Sequence, residues 1–194
     1  RTWGVLIRAL PAQEVCQAVV GLGTSAVPHL IRALEDQDRA VRAAACQALG
    51  SIGDAQAVPH LIRALEDQDR AVRTAARRAL VGIGGAAAPA LIEALRHLDS
   101  LVRAAACQAL VDIGRAAVPA LIEALRHLDS RVRTAAYQAL ADIGRAAVPA
   151  LIEALGHLDS RVRTAACRVL GSIGDIRAHP ALSLWAHAGA TAAQ

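Results

Sequence analysis

The stretch VPHLIRALEDQDRAVRAAACQALGSIG, residues 27–53, decides the fold of this chain. Its first part carries apolar residues at i, i+3, i+4 and i+7, the spacing that lines one face of a helix. These residues are Val27, Leu30, Ile31 and Leu34. Pro28 suits the first helical turn, where a missing N–H group costs nothing. The stretch therefore begins with a predicted amphipathic helix.

The second part of the same stretch predicts another helix, antiparallel to the first. Asp38 stands where a helix N-cap belongs, because its side chain can accept bonds from the first N–H groups. Gly53 supplies the left-handed residue that ends many helices. The predicted buried stripe consists of Val41, Ala45, Leu49 and Ile52. Alanines at neighbouring positions allow the two helices to approach closely.

The chain contains five near-identical copies of this helix pair. Six of its seven prolines follow one another at 31, 30, 30, 30 and 31 residues: Pro28, Pro59, Pro89, Pro119, Pro149 and Pro180. One pair of this kind cannot bury its apolar stripe, whereas stacked neighbours can. The sequence therefore predicts an all-α fold without strands, a right-handed α-solenoid of two-helix repeats of about 30–31 residues with about eleven helices.

The ends of the chain differ from its middle, and we expect one repeat domain over residues 1–194. Residues 1–25 form a predicted truncated N-terminal repeat, residues 26–174 the five full repeats, and residues 175–194 a capping helix and tail. The two tryptophans, Trp3 and Trp185, lie in these terminal pieces. We expect them to cover the exposed ends of the stack.

Composition narrows the class of protein without naming a substrate. Hydrophobic residues make up 55% of the chain but aromatic residues only 2%, and the net charge is a mild +4. The apolar runs are too short to cross a bilayer, so we expect no membrane partner. The four cysteines lack zinc-module spacing. Free thiols favour a reducing compartment, so we expect a cytoplasmic protein.

The repeat unit resembles a known family. The pattern A-V-P-x-L-I-x-A-L, followed by D-x-x-V-R-x-A-A-x-x-A-L-x-x-I-G, resembles the short HEAT-like repeats named after phycobilisome lyases and consensus-designed alpha-Rep proteins. The resemblance covers roughly residues 1–187. It implies a scaffold that binds proteins through a concave face formed by the second helices, and in a few members an enzyme. Fold alone does not fix function.

No metal, cofactor or catalytic site is predicted. Equivalent residues of stacked repeats lie about 8–10 Å apart, too far to share a metal ion or to form a disulfide. The histidines His29, His60, His97, His127 and His157 therefore form no predicted metal cluster. The sequence also lacks the His-Glu pairs that hold iron in HEAT-like deoxyhypusine hydroxylases. We interpret Cys16, Cys46, Cys107 and Cys167 as small, partly exposed filling residues.

An aspartate and an arginine recur four residues apart at the start of every second helix. The pairs are Asp38/Arg42, Asp69/Arg73, Asp99/Arg103, Asp129/Arg133 and Asp159/Arg163. Residues at i and i+4 share one helix face and can form an ion pair. The family resemblance implies a structural ladder of such residues between adjacent repeats.

Residues that vary between the copies indicate a candidate binding surface. We treat Arg39, Arg70, Leu101, Arg131 and Arg161 as one repeat position. The positions of Ala43, Cys46, Gln47 and Gly50 also change between copies. This candidate stripe is predominantly basic, whereas most glutamates occur on the first helices. Its members are Arg39, Arg70, Arg77, Arg78, Cys107, Gln108, Arg131, Tyr137, Gln138, Arg161 and Arg168. Arg77, Arg78, Tyr137 and Gln138 should contribute most, because they are central and large or polar.

The leading functional hypothesis is a non-enzymatic scaffold that binds a protein with an acidic surface. A bilin lyase or lyase-like chaperone subunit is the alternative implied by the family resemblance. Binding of nucleic-acid phosphate by the basic stripe is a third hypothesis. It is disfavoured because one Tyr and no Phe provide no stacking platform for single strands.

Overall fold

A computed structural model describes residues 23–175 together with residues 177 and 183. These residues form pairs of α-helices connected by short turns and contain no β-strand. The helices are α1 (Val27–Ala33), α2 (Arg39–Ile52), α3 (Val58–Ala64), α4 (Arg70–Ile83), α5 (Ala88–Ala94), α6 (Ser100–Ile113), α7 (Val118–Ala124), α8 (Ser130–Ile143), α9 (Val148–Ala154) and α10 (Ser160–Ile173). The all-α fold of two-helix repeats is therefore confirmed. The predicted truncated repeat and capping helix, with Trp3, Trp185 and Cys16, lie outside the described residues.

The chain divides into two compact units, Arg1–Ile113 and Gly114–Gln194. The described part of the first unit holds repeat 1 (α1 and α2), repeat 2 (α3 and α4) and repeat 3 (α5 and α6). The second unit holds repeat 4 (α7 and α8) and repeat 5 (α9 and α10). In every repeat the first helix packs against the second.

The predicted start and stop signals of the second helices are confirmed. Each N-cap aspartate accepts a hydrogen bond of 2.7–2.8 Å from the backbone N–H two residues later. These aspartates are Asp38, Asp69, Asp99, Asp129 and Asp159. Each second helix then ends at a glycine with positive φ, a conformation that other residues rarely adopt. At Gly53, Gly84, Gly114 and Gly144 the chain turns into a 3₁₀ segment and the next short helix, which has proline in its first turn.

An arginine in the first turn of each second helix fixes the loop between the paired helices. Its Nη1 atom donates to two consecutive loop carbonyls, five and six residues earlier, at 2.7–3.1 Å. The five arginines are Arg42, Arg73, Arg103, Arg133 and Arg163. The predicted pairing with the aspartate four residues earlier is thus not the contact that holds them. That aspartate caps its helix, which leaves the guanidinium to the carbonyls.

Within the described residues, two ion pairs join the start of α2 to repeat 2. Arg42 binds Asp67 through two hydrogen bonds of 2.7 and 2.9 Å, and Arg39 lies 3.0 Å from Asp69. The carboxylate of Asp67 also accepts the N–H of Asp69 at 2.8 Å. The guanidinium of Arg42 lowers the pKa of Asp67 below its ordinary value.

Histidine replaces this loop aspartate in repeats 3, 4 and 5. The Nδ1 atoms of His97, His127 and His157 accept the backbone N–H of the following N-cap aspartate at 3.0–3.1 Å. This contact requires the ring proton on Nε2. In His97 and His157, Nε2 lies 3.4–3.5 Å from Oε1 of Glu66 and Glu123, respectively. The histidines therefore perform the loop-closing role that Asp36 and Asp67 perform in the first two repeats.

The core consists of leucine, valine and alanine. Every described helix contributes a leucine that is at most 1% exposed. These leucines are Leu30, Leu49, Leu61, Leu80, Leu91, Leu110, Leu121, Leu140, Leu151 and Leu170. The prediction that the last isoleucine of each second helix is equally buried is wrong. Ile52, Ile83, Ile113, Ile143 and Ile173 are only half-buried, because they lie in the final turn beside the glycine stop.

Two glycines bring α2 and α4 into backbone contact. A Cβ atom added to Gly50 would lie 2.6 Å from the Cα of Ala79, and one added to Gly82 would lie 2.9 Å from the carbonyl oxygen of Gly50. Neither position accommodates a side chain without moving a helix. Gly171 occupies the position of Gly50 in repeat 5, where an added Cβ would meet no atom of the described residues within 4 Å.

Two helical stretches, Arg70–Ala94 and Ser100–Ala124, are long and apolar enough to cross a membrane by length and composition. Each stretch joins a second helix to the next first helix. Gly84 (φ 75°) and Gly114 (φ 64°) interrupt them with positive φ values. Leu80, Leu91, Leu110 and Leu121 of these stretches are fully buried against neighbouring helices. The two stretches are therefore weak evidence for membrane spans, since core helices share these properties.

Leu110→Ala is expected to lower the free energy of unfolding by about 2–5 kcal/mol, because the tightly packed interior cannot close over the cavity. Urea titrations followed by circular dichroism measure this loss. Ile113→Ala on the same helix is the control, since its half-buried side chain leaves a smaller void. A smaller loss for Leu110→Ala than for Ile113→Ala would show that the buried stripe is misassigned.

Alanine at the two equivalent glycine positions should change stability in opposite directions. Gly50→Ala is expected to destabilise the chain by about 1–3 kcal/mol, because the new methyl group collides with Ala79. Gly171→Ala should stabilise it by about 0.5–1 kcal/mol through reduced backbone entropy of the unfolded chain. Thermal unfolding of both variants measures the effects. Equal shifts in one direction would contradict the close approach of α2 and α4.

The Arg42–Asp67 pair should make stability depend on pH. Because the pKa of Asp67 is lowered below its ordinary value of 3.8, its stabilising effect is complete above that value. The effect is lost as the pH falls through the lower pKa of the folded state. Asp67→Asn should therefore be less stable than the parent near neutral pH, and the difference should shrink below about pH 4. Urea titrations at several pH values test this, and a difference independent of pH would contradict it.

Candidate functional site

All eleven candidate residues lie on second helices, and none is buried. We name this set the second-helix face. Arg39, Arg70, Arg77, Arg78, Cys107 and Gln108 lie in the first unit. Arg131, Tyr137, Gln138, Arg161 and Arg168 lie in the second unit. The two parts are described separately.

The sequence alignment of the first variable position requires a correction. When the repeats are aligned on their N-cap aspartates, Arg39 and Arg70 are the first residues of α2 and α4. Ser100, Ser130 and Ser160 occupy that position in the later repeats. Leu101, Arg131 and Arg161 lie one residue further along, where repeats 1 and 2 carry alanine. The predicted alignment was wrong by one residue in repeats 3 to 5, because it aligned arginine with arginine and did not use the N-cap aspartates as the reference position.

Carboxylates already bind several basic or polar groups of the first unit. Arg77 of α4 pairs with Asp112 of α6, and Gln108 donates to the same carboxylate at 2.9 Å. Arg39 pairs with Asp69 and lowers the pKa of that carboxyl group. The prediction placed Arg77 among the residues available to a partner, but its side chain is only 26% exposed and is held by Asp112.

A groove of about 550 Å³ lies between α2 and α4. Arg70 and Arg78 line it together with small side chains and the Arg39–Asp69 pair. The groove therefore combines basic groups with one carboxylate. Its helices are those that Gly50 and Gly82 bring together.

In the second unit, Tyr137 of α8 and Arg168 of α10 form the central contact. The guanidinium carbon of Arg168 lies 5.5 Å from the centre of the Tyr137 ring, within the range of a cation–π interaction. The tyrosine hydroxyl lies 3.5 Å from the carbonyl oxygen of Arg168. Gln138 donates to Asp142 at 3.0 Å, and Arg131 pairs with Asp129 at 3.2 Å.

A larger groove, about 870 Å³, lies between α8 and α10. Three arginines line it: Arg133, Arg161 and Arg168. Its described lining also includes the hydroxyl groups of Ser130, Thr134, Tyr137, Ser160 and Thr164, and contains no carboxylate. The described hydrogen-bond partners of the Arg133 side chain are the backbone carbonyls of His127 and Leu128, not a carboxylate. The groove between α2 and α4, by contrast, is lined by three arginines together with the carboxylate of Asp69.

Three exposed leucines were missed by the sequence analysis. Leu98, Leu128 and Leu158 occupy one loop position and are 92%, 90% and 98% exposed. Repeats 1 and 2 carry Gln37 and Gln68 at this position. The sequence did contain a signal for this exposure. Each leucine lies in a turn, between a histidine and an aspartate, and so falls outside the apolar spacing of the helices.

The metal-ligating and thiol side chains of the described residues are dispersed over the repeats. The described residues contain no cluster of three or more histidine, cysteine, aspartate or glutamate residues that could hold a metal ion. Cys46, Cys107 and Cys167 are thiols without disulfide bonds. The prediction that the cysteines are partly exposed holds for Cys107 and Cys167 but is wrong for Cys46, which is fully buried. Burial and the charge of Asp67 raise the pKa of the Cys46 thiol to about 12, so it is a poor nucleophile.

Two family models match the chain. The model described as HEAT repeats matches residues 10–81, 88–147 and 118–190, which together span most of the sequence. The model described as PBS lyase HEAT-like repeat matches residues 72–97. Both matches confirm the resemblance inferred from the repeat pattern. Among curated protein sequences, none matches the chain at a significant level.

Solved structures with similar folds include natural and engineered proteins. The complex of CpcE and CpcF of phycocyanin lyase from Nostoc sp. PCC7120 contains a chain with 32% identity, 88% coverage of this chain, 72% coverage of that chain and a TM-score of 0.44. An engineered protein shows 27% identity, coverages of 87% and 86%, and a TM-score of 0.38.

An archaeal HEAT-like repeats protein from Thermococcus onnurineus NA1 shows 17% identity, coverages of 87% and 79%, and a TM-score of 0.45. The family assignment rests on the sequence models, which match well over half of the residues. This chain belongs to the HEAT-repeat family.

Proposed function

We propose that the chain is a non-enzymatic scaffold that binds another protein through its second-helix face. The observation that carries this proposal is the concentration of exposed arginines on the second helices. Arg70, Arg78, Arg161 and Arg168 are exposed and form no ion pair within the described residues. Arginine is enriched in protein interfaces, because it combines apolar contact area with directional hydrogen bonds.

A partner with an acidic surface fits this face. The first helices carry a different charge pattern, since Glu93 pairs with Arg96 at 3.3 Å and Glu123 with Arg126 at 2.8 Å, as the i, i+3 spacing predicts. Such exposed pairs leave little net charge for a partner and contribute little to stability. Opposite charge on the partner would accelerate its association with the second-helix face. The thiols fit a reducing compartment, and we retain a cytoplasmic location as part of the proposal.

A lyase-like subunit is the second candidate function. The observation that favours it is the match of residues 72–97 to the PBS lyase HEAT-like repeat model. Mixing the chain with a free bilin and recording the absorbance spectrum tests this candidate. A spectral shift that depends on the chain would favour the lyase-like function. An unchanged spectrum would count against this function and would favour the scaffold proposal.

Binding of nucleic-acid phosphate remains the weakest candidate. It would require a steep loss of affinity with salt, and a filter-binding titration with single-stranded and double-stranded DNA measures this. Tyr137, the one aromatic side chain among the described residues, already lies against Arg168 on one face of its ring, which disfavours the stacking of bases there.

The scaffold proposal predicts that second-helix changes weaken partner binding and first-helix changes do not. A partner is first isolated by pull-down with the intact chain and identified by mass spectrometry. The double variant Arg78→Gln with Tyr137→Ala should then weaken binding by more than about 1 kcal/mol, because it removes two interface-type side chains. Raising the salt concentration should slow association.

The control is the double variant Glu93→Ala with Glu123→Ala on the first helices, measured by surface plasmon resonance alongside the parent chain. It should change affinity by less than about 0.5 kcal/mol, since exposed ion pairs contribute little. Circular dichroism checks that both variants keep their helical content. A larger loss from the first-helix variant than from the second-helix variant would refute the proposed binding face.

A further inference from the structure

The groove between α8 and α10 differs from the groove between α2 and α4 in a way that points to a ligand. It has a volume of about 870 Å³ against about 550 Å³. The cause lies in the positions that bring α2 and α4 together. Ala141 and Val169 replace Gly50 and Ala79, so side chains stand where the first unit has backbone contact. The larger side chains hold α8 and α10 further apart.

The described lining of the groove between α8 and α10 holds no carboxylate that could neutralise its arginines. The described lining contains three arginines and no carboxylate, whereas Asp69 neutralises Arg39 in the first unit. Arg161 has no hydrogen-bond acceptor for its side chain within the described residues. Arg168 is restrained by the ring of Tyr137, which leaves the N–H groups at the edge of its guanidinium for an acceptor. Arg133 adds a charge that the loop carbonyls hold in place.

An apolar residue stands beside these donors. Leu128 lines the groove and is 90% exposed, and Leu158 occupies the equivalent loop position of the next repeat at 98% exposure. Repeats 1 and 2 carry glutamine at this position, so the repeat fold does not require leucine there. Leu128 therefore gives this groove an apolar contact surface next to its arginines.

We infer that the groove between α8 and α10 binds a segment of a partner protein in which an acidic residue neighbours a large apolar residue. This inference rests on the proposed protein-binding function and names the site and the chemistry of its ligand. The carboxylate binds Arg161 and Arg168, and the apolar side chain covers Leu128. Charge complementarity favours an acidic occupant. Leucine favours a peptide over nucleic acid, because a phosphate backbone gains little from an apolar contact.

The sibling repeats supply substitutions that the fold already accepts. Ala40 and Ala71 occupy the position of Arg161, and Gln47, Gln108 and Gln138 occupy the position of Arg168. Gln37 and Gln68 occupy the position of Leu128. The test variants are therefore Arg161→Ala, Arg168→Gln and Leu128→Gln. Arg115→Gln is the charge-matched control, because Arg115 is exposed and lies in the turn before α7, outside the second-helix face. Arg78→Gln tests the first-unit residue that occupies the same repeat position as Arg168.

The probe is a phage-displayed library of random peptides, selected against the intact chain. The selected peptides should share an acidic residue next to leucine, isoleucine or phenylalanine. When one of them is synthesised and labelled, fluorescence anisotropy should show about tenfold weaker binding to each test variant. Arg115→Gln should bind the peptide as the parent chain does, and circular dichroism should show unchanged helical content for all variants.

The remaining outcomes separate this inference from the proposed function. Loss of binding in Arg78→Gln but not in Arg168→Gln would overturn the groove assignment and keep the second-helix face. Loss only in the first-helix variant with Glu93→Ala and Glu123→Ala would overturn both. Selected peptides without acidic residues, or no selected peptide, would overturn the inference. Competition of a single-stranded oligonucleotide with the peptide, at equal affinity, would replace it with nucleic-acid binding.

Discussion

The hydrogen bonds from one arginine to two loop carbonyls are the contact on which each repeat depends. The carbonyls belong to the turn that follows a first helix of only seven residues, too short to be stable by itself. Unbonded carbonyls at the end of such a helix carry partial negative charge, which a guanidinium satisfies. The same arginine belongs to the first turn of the second helix. One side chain thereby sets the geometry of a helix pair, and the repeats inherit that geometry five times.

Much of the fold could be predicted from the sequence, because the deciding signals are local. Prolines, N-cap aspartates and stop glycines act within one helical turn, and repetition removed most ambiguity about helix boundaries. The hydrogen-bond acceptors of the five arginines could not be predicted. Every residue has a backbone carbonyl, and the sequence does not show which carbonyls face the guanidinium group. The half-burial of residues such as Ile113 also escaped prediction, because the apolar stripe continues into a final turn that the neighbouring helices cover only in part.

The candidate site was predicted less completely than the fold. Its location on the second helices followed from helical spacing, but the state of each charge depended on partners distant in sequence. Arg77 and Asp112 are 35 residues apart, so their pairing required the stacked arrangement to be known. The exposed leucine Leu128 was overlooked because the prediction relied on apolar residues at helical spacing. A single apolar residue in a turn does not form such a pattern. Variation between repeats indicated the second-helix face as a candidate surface. The contacts within each unit then showed which of its side chains already pair with a carboxylate.

The backbone contact at Gly50 also limits how a gene for this chain could have grown by duplication. Modular arrays lengthen easily when every module accepts every other module as a neighbour. Repeat 1 does not meet that condition, because Gly50 and Gly82 fit only as a matched pair across one junction. A recombination event that separated them would leave a void or a collision at the new junction. Repeats 1 and 2 therefore constitute a single inheritable module of four helices, and exchange of repeats is easier elsewhere in the array.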